Sequence, residues 1–213
     1  MLELRGCIVT IDAMGCQTAI AEKIIESGAD YVLALKGNQA GLFESVKEHF
    51  AKAAEDSAGM ERLSTSDTGH GRIEQRFYTL STDIEWLLQK EDWAGIKSVG
   101  KVRSVVEKKG IVSEEERYYI SSLSSIDIFS KSVRKHWGIE NGLHWCLDIS
   151  FNEDKSRTRK DNSAENLAVA RHIAVNILKK YPKGMSIKRK RSKCCYDPDF
   201  LEQVINYTYG EFI

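Results

Sequence analysis

Early in the chain, apolar residues gather in two short runs, each followed by a repeat of helical period. Cys7-Ile8-Val9-Thr10-Ile11 is β-branched and has the length of a buried strand. It ends at Asp12, and Ala13-Met14-Gly15 follows. Thr18–Ser27 places Ile20, Ile24 and Ile25 on one helical face, and Gly28 stops it. Tyr31-Val32-Leu33-Ala34-Leu35 reads as a second buried strand, closed by Lys36-Gly37-Asn38. Gln39 to about Ala54 reads as an amphipathic helix through Leu42, Phe43, Val46 and Phe50. Strand, helix, strand, helix predicts an α/β unit whose two strands are parallel and joined by a right-handed crossover.

The pattern then changes. Residues 55–70 are polar and glycine-containing and read as a loop. Gln75–Leu80, Lys97–Lys108 and Glu115–Ser121 alternate polar and apolar positions, as antiparallel strands do, with Lys109-Gly110 as a hairpin turn. A helical region begins near Ile126 and takes in Val133, Trp137, Ile139, Leu143 and Leu147. Ala164–Lys180 carries Leu167, Ala168, Ala170, Ile173, Ala174, Ile177 and Leu178 at helical spacing, and Pro182 and Gly184 end it. Residues 183–198 read as a basic loop, and a short helix follows from Pro198 to Tyr207. There is no internal repeat and no low-complexity tract.

The 213 residues suffice for one domain of ordinary size, with or without a tail. No apolar stretch approaches the ~18 residues of a membrane span, so none is expected. The first residues are too short in apolar character, and too interrupted by charge, for a secretory signal. The five cysteines form no C-x-x-C pair, which argues against a zinc ribbon or a disulfide scaffold. Cys7 is expected to be a small core residue, and free thiols fit a reducing cytoplasm. The net charge of zero hides an asymmetry: residues 155–193 hold thirteen Lys/Arg against two Asp/Glu. Such a basic stretch on an acidic body can bind a polyanion, or can simply be a solvated helix face and loop.

Asp12 stands at the carboxyl end of a buried parallel strand, where ligands gather in open α/β sheets. A turn or helix-capping aspartate is the plainer alternative. His136, Glu140, His144 and Asp148 are spaced by four and stack along one helical face, interrupted by Gly138 and Gly142. The alternative is a solvent-facing stripe with Trp137 and Trp145 in the core. No H-E-x-x-H and no cysteine pair supports zinc. Oxygen donors at Asp12 and Glu140 suit Mg²⁺ or Mn²⁺. Arg157 and Arg159, within Asn152–Lys160, could grip phosphates bidentately. Gly69–Arg76 is a glycine-flanked basic turn containing Arg72. It resembles no phosphate loop, and no G-x-S-x-G nucleophile is present.

Several of these blocks, in this order, resemble the H-repeat-associated insertion-sequence DDE transposases. They are Val9–Gln17 around Asp12, Tyr31–Gln39, Gly69–Arg76, His136-Trp137-Gly138-Ile139-Glu140-Asn141 with Leu143-His144-Trp145 and Asp148, Glu153-Asp154, Ser156-Arg157, Arg159, and Asn166-Leu167-Ala168. The resemblance implies the C-terminal portion of a DDE catalytic domain. The fold is then α/β, a partial ribonuclease H-like fold with an antiparallel β insertion at about 65–122 and C-terminal helices. The core would occupy 1–182, and a basic loop and short helix 183–213. Asp12 would be the second catalytic aspartate and Glu140 the catalytic glutamate, holding Mg²⁺ or Mn²⁺ in a pair about 4 Å apart. The substrate implied is double-stranded DNA, both transposon ends and target, handled in the cytoplasm at the nucleoid. His136, Arg157, Arg159, Lys36 and Arg72 are the nucleic-acid-binding residues implied. In the wider family a tyrosine, an arginine and a lysine flank the glutamate; Val133, His136 and Leu147 stand in those places. The first catalytic aspartate is expected upstream of the eleven residues that precede Asp12, whose only acid is Glu3. The chain alone is therefore expected to be weak or inactive, and to self-associate through an unpaired sheet edge. Two alternatives stand: a non-catalytic or inhibitory DNA-binding remnant, and a metal-dependent nuclease of another kind.

Overall fold

A computed structural model describes residues 3–53, 59–69, 72–182 and 184–209, apart from the side chains of Glu140, Asn141 and Tyr209. The described chain forms two compact units, Met1–His136 and Trp137–Ile213. His70, Gly71 and the upstream part of the expected 55–70 loop lie outside the described residues.

The first unit opens with β1 (Ile8–Ile11), α1 (Thr18–Glu26), β2 (Asp30–Leu35) and α2 (Ala40–Lys52). Four antiparallel strands follow: β3 (Met60–Gly69), β4 (Arg72–Ser81), β5 (Ser98–Lys108) and β6 (Ile111–Ser121). All six belong to one sheet in the order β1-β2-β6-β5-β4-β3. Only β1 and β2 are parallel; every other neighbouring pair is antiparallel. β2 is buried through Tyr31, Val32 and Leu33, as a strand covered on both faces should be. α1 sinks Ala21 and Ile24 into the core, and α2 sinks Leu42 and Val46. At the β5–β6 hairpin, Lys109 (φ 53°) and Gly110 (φ 77°) both take positive φ, which matches the twist of the flanking strands.

Buried serines satisfy the backbone where parallel pairing gives way to antiparallel. Ser121 Oγ donates to Tyr31 O at 2.8 Å and accepts from Leu123 N at 3.0 Å. Tyr31 N donates to Ser122 Oγ at 2.9 Å, and Ser98 Oγ donates to Leu123 O at 2.6 Å. Unpaired backbone groups at that depth would each cost roughly 1–3 kcal/mol.

The polar segment expected to be a loop instead provides β3, in register with β4 from Met60↔Ser81 to Gly69↔Arg72. β3 is an edge strand exposed on both faces, so no alternation marks it in the sequence. It carries two acids that bracket α3 (Ile126–Ile139). Glu61 Oε2 accepts from Ile126 N at 3.1 Å, capping the helix. Asp67 Oδ2 takes Arg134 Nη2 at 3.0 Å and Arg76 Nη1 at 2.8 Å. Cys7 is exposed rather than in the core; Cys16 and Cys146 are the buried thiols, and desolvation pushes Cys16 up to about 12.

The second unit continues with a π-helical turn, Glu140–His144, then α4 (Trp145–Phe151), α5 (Ser163–Lys180), α6 (Ile187–Tyr196) and α7 (Pro198–Tyr209). Leu178, Tyr181, Phe200 and Val204 form one core, and Cys146, Leu147 and Val175 another. The basic run expected to be a loop is α6. Lys and Arg are good helix formers, and Ser186 Oγ caps the run by accepting from Arg189 N at 3.3 Å. Lys190 is buried, and its Nζ donates to the carbonyls of Leu178 and Tyr181 at the end of α5. In α5 only Val175 and Leu178 are buried; Val169 and Ile173 remain exposed.

A Cβ on Gly100 of β5 would lie 2.4 Å from Phe129 Cζ of α3. Gly100→Ala is expected to destabilise the first unit by about 1–3 kcal/mol in urea unfolding, with partial rescue by Phe129→Leu.

Candidate functional site

β1 delivers its side chains alternately to opposite faces, so Thr10 and Asp12 point the same way. α3 supplies His136 to both. Its Nδ1 lies 3.0 Å from Thr10 Oγ1, and its Nε2 lies 3.3 Å from Asp12 Oδ1. A carboxylate only accepts, so Nε2 carries a proton; in the neutral imidazole Nδ1 then accepts from the Thr10 hydroxyl. Asp12 occupies the capping position of the 3₁₀ turn Ala13–Gly15, yet its side chain makes no capping hydrogen bond. The carboxylate faces His136 instead and stays 57% exposed. That disfavours the plain capping role.

The turn after Asp12 is braced from three sides. Gln17 Nε2 donates to Met14 O at 3.3 Å, Asn38 Nδ2 to Ala13 O at 2.5 Å, and Gln39 Nε2 to Cys16 O at 3.0 Å. A Cβ on Gly15 would lie 2.4 Å from Ile11 Cγ2, so the turn closes tightly on β1. The braces fix the peptide that carries Asp12 and hold Met14 exposed beside it. Thr10, Asp12, Lys36, Glu116, Tyr119 and His136 line a cavity of about 110 Å³. Burial, the largest cause, pushes the Tyr119 hydroxyl up to about 12. A wider groove of about 460 Å³, with His49 stacked on Trp86 at 4.3 Å, shares none of these residues.

Of the residues singled out by sequence, Asp12, His136 and Lys36 therefore meet at one cavity. Arg72 does not join them; it pairs with Glu74, which is buried and also pairs with buried Arg76. Glu140 lies in the π-helical turn of the second unit, and its side chain is outside the described residues. The extra residue in that turn offsets the four-residue spacing of the stripe. Arg157 is exposed, whereas Arg159 Nη1 is folded onto the Ser156 and Thr158 carbonyls at 3.1 and 2.9 Å. Val133 and Leu147 are core residues, and Trp145 is exposed. Asp148 is raised above its ordinary range by burial first and then by Asp154. Sequence reasoning missed Thr10, Asn38 and Gln39. The one signal available was that Thr10 precedes Asp12 by two on a strand.

The chain matches the family model described as "Transposase DDE domain" over residues 1–177. The chain belongs to the DDE-domain transposase family. It is 39% identical over 213 residues to "Putative transposase YncI" of Escherichia coli O157:H7, covering 96% of this chain and 54% of that protein. It is 36% identical over 217 residues to "H repeat-associated putative transposase YhhI" of Escherichia coli (strain K12), covering 96% and 56%. The chain thus spans about half the length of the curated relatives it matches. No solved structure matches it. No described helix is long and apolar enough to cross a membrane.

Members of this transposase family generally use divalent metal ions. Asp12 offers the hard oxygen such ions prefer. Among the described residues, however, no three His, Cys, Asp or Glu side chains converge on a metal position. The donor type fits and the donor number falls short, so no chemical step is routed through a metal.

Asp67 is held below the usual carboxylate range, first by its hydrogen bond from Arg76 and then by the Arg134 charge. A depressed folded pKa contributes stability above the unfolded value of about 3.9 that is lost as pH falls through the folded one. Arg134→Gln is expected to raise the Asp67 midpoint in a carboxyl NMR titration while Arg76 keeps it partly depressed. An unmoved midpoint would show that Asp67 does not hold α3 through Arg134.

Proposed function

We propose that this chain is the C-terminal part of a DDE transposase catalytic core with a ribonuclease H-like fold, acting on double-stranded DNA at transposon ends and target. The observation that carries the reading is Asp12. Asp12 lies within the residues that the family model matches, and it stands at the carboxyl end of β1, half exposed, on a braced turn. By the family resemblance Asp12 and Glu140 are each candidate carboxylates for Mg²⁺ or Mn²⁺, an ion that would supply activation of the attacking oxygen and stabilisation of the leaving one. His136 orients the Asp12 carboxylate, and Thr10 fixes the imidazole. Lys36 and exposed Arg157 are placed to attract phosphate oxygens. His136 and Arg159 serve DNA less directly, since each already has an internal partner.

β1 is the outermost strand of the sheet, the position at which the family's upstream strands would add. A chain without those strands would be weak or inactive by itself. The outermost position of β1 also supports self-association through that edge. The second reading is a non-catalytic DNA-binding remnant that inhibits by mixed assembly.

In a supercoiled-plasmid assay with Mn²⁺, this chain is expected to bind duplex DNA and nick it at most weakly. In a form that carries the family's upstream strands, nicking is expected, and Asp12→Asn should reduce it roughly a thousandfold, several kcal/mol. Binding without nicking in the extended form would support the remnant. Nicking that survives Asp12→Asn would assign the chemistry to another kind of nuclease.

A further inference from the structure

α6 lies beyond the residues that the family model matches. Five of its ten residues are Lys or Arg and none is acidic. Their surroundings divide them. Lys190 is buried on the Leu178 and Tyr181 carbonyls. The Arg191 guanidinium lies 5.3 Å from the Phe151 ring centre. Lys193 pairs with Asp197 at 3.3 Å and lies 4.5 Å from the Phe200 ring centre. These three cations face inward and fix the helix against its neighbours.

Lys188 and Arg189 do the opposite. Both are exposed and make no ion pair among the described residues. Ser192, Cys195 and Tyr196 are exposed with them. Positions 188, 189, 192, 195 and 196 fall on one helical face by their three- and four-residue spacing. Lys180, exposed at the end of α5, adds a further charge to this unit. The outer face is therefore cationic, hydroxyl-bearing and without an aliphatic side chain, and it is carried on a helix whose inner face is anchored. A lipid surface would need an apolar face to bury, which is missing here. A polyanion with regularly spaced charges relieves the repulsion among these cations.

We propose that the outer face of α6 docks on the sugar-phosphate backbone of duplex DNA. Lys188 and Arg189 contact phosphates, and Ser192 and Tyr196 supply hydroxyl contacts. This surface lies outside the candidate site at Asp12 and rests on the reading of duplex DNA as the substrate. Backbone contacts carry no base information, so the surface adds affinity without specifying sequence.

The test is fluorescence anisotropy of a labelled duplex of arbitrary sequence, titrated with this chain across a salt series. Replacing both cations, Lys188→Gln with Arg189→Gln, is expected to make the slope of log K against log salt shallower by about 1.8. At physiological salt that corresponds to a loss of roughly ten- to thirtyfold in affinity. The charge-keeping pair Lys188→Arg with Arg189→Lys should restore the slope. Cys195 gives a readout that needs no variant: bound duplex should slow its modification by a maleimide, followed by peptide mass spectrometry. Wild-type binding with an unchanged slope in the Gln pair, or with Cys195 unprotected at saturation, overturns the α6 surface alone. Tighter binding of an RNA duplex overturns the choice of DNA. Absence of any salt-dependent duplex binding by the wild type overturns the DNA reading together with it.

Discussion

β2 is hydrogen-bonded along both edges, parallel to β1 on one side and antiparallel to β6 on the other. The two ladders differ in hydrogen-bond spacing, so a strand that serves both needs extra partners where they end. Ser121 and Ser122 supply them at Tyr31. With β2 fixed, β1 has one defined register, Ile8↔Asp30 to Ile11↔Leu33. A slip of one residue would turn Thr10 and Asp12 to the opposite face and away from His136. The register that places Asp12 thus depends on a polar detail two strands away as well as on the braces around its own turn.

The same reasoning applies to α3. Its helical character comes from its own apolar face, but its position comes from β3. Glu61 holds the first turn and Asp67 holds Arg134, two residues before His136. Exposed ion pairs contribute little to stability, about 0–1 kcal/mol each. Their contribution here is positional: an imidazole aimed at a carboxylate needs its helix fixed along its length. The buried Glu74–Arg76 pair costs desolvation energy, and Arg76 reaching on to Asp67 extends that investment to the clamp on α3.

The elements legible in the sequence were those whose apolar residues form a run or follow a single period, although β1, expected to be buried, is an edge strand with Ile8 exposed and Val9, Thr10 and Ile11 only half-buried. β1, β2, α1 and α2 fall where the β-branched runs and helical spacings put them, and Lys109-Gly110 turns the β5–β6 hairpin as read. β3 escaped because both its faces are exposed, so its register is written in β4 rather than in its own residues. α6 escaped because charge density was taken as a sign of a loop, although the helix is held by Lys190 and its neighbours burying their stems inward. Asp12 and His136 were legible from position and spacing. Asn38 and Gln39 were not, because their task is to donate to carbonyls that lie close only once the turn has folded.

The acids of the first unit separate by what answers their charge. Asp67 is answered by the guanidinium groups of Arg76 and Arg134, and Glu74 by those of Arg72 and the same Arg76. Glu116 is answered by Lys101 at 2.5 Å and by the Tyr118 hydroxyl at 2.7 Å. Each of these carboxylates is committed to holding the fold. Asp12 faces only an imidazole at 3.3 Å among its described ion pairs, and more than half of its side chain is open to solvent. A carboxylate on a rigid strand end, braced at its peptide yet with its charge largely unanswered, keeps coordination capacity for something that arrives from outside. That contrast, more than exposure alone, separates Asp12 from the structural acids around it and makes it the residue on which the functional reading turns.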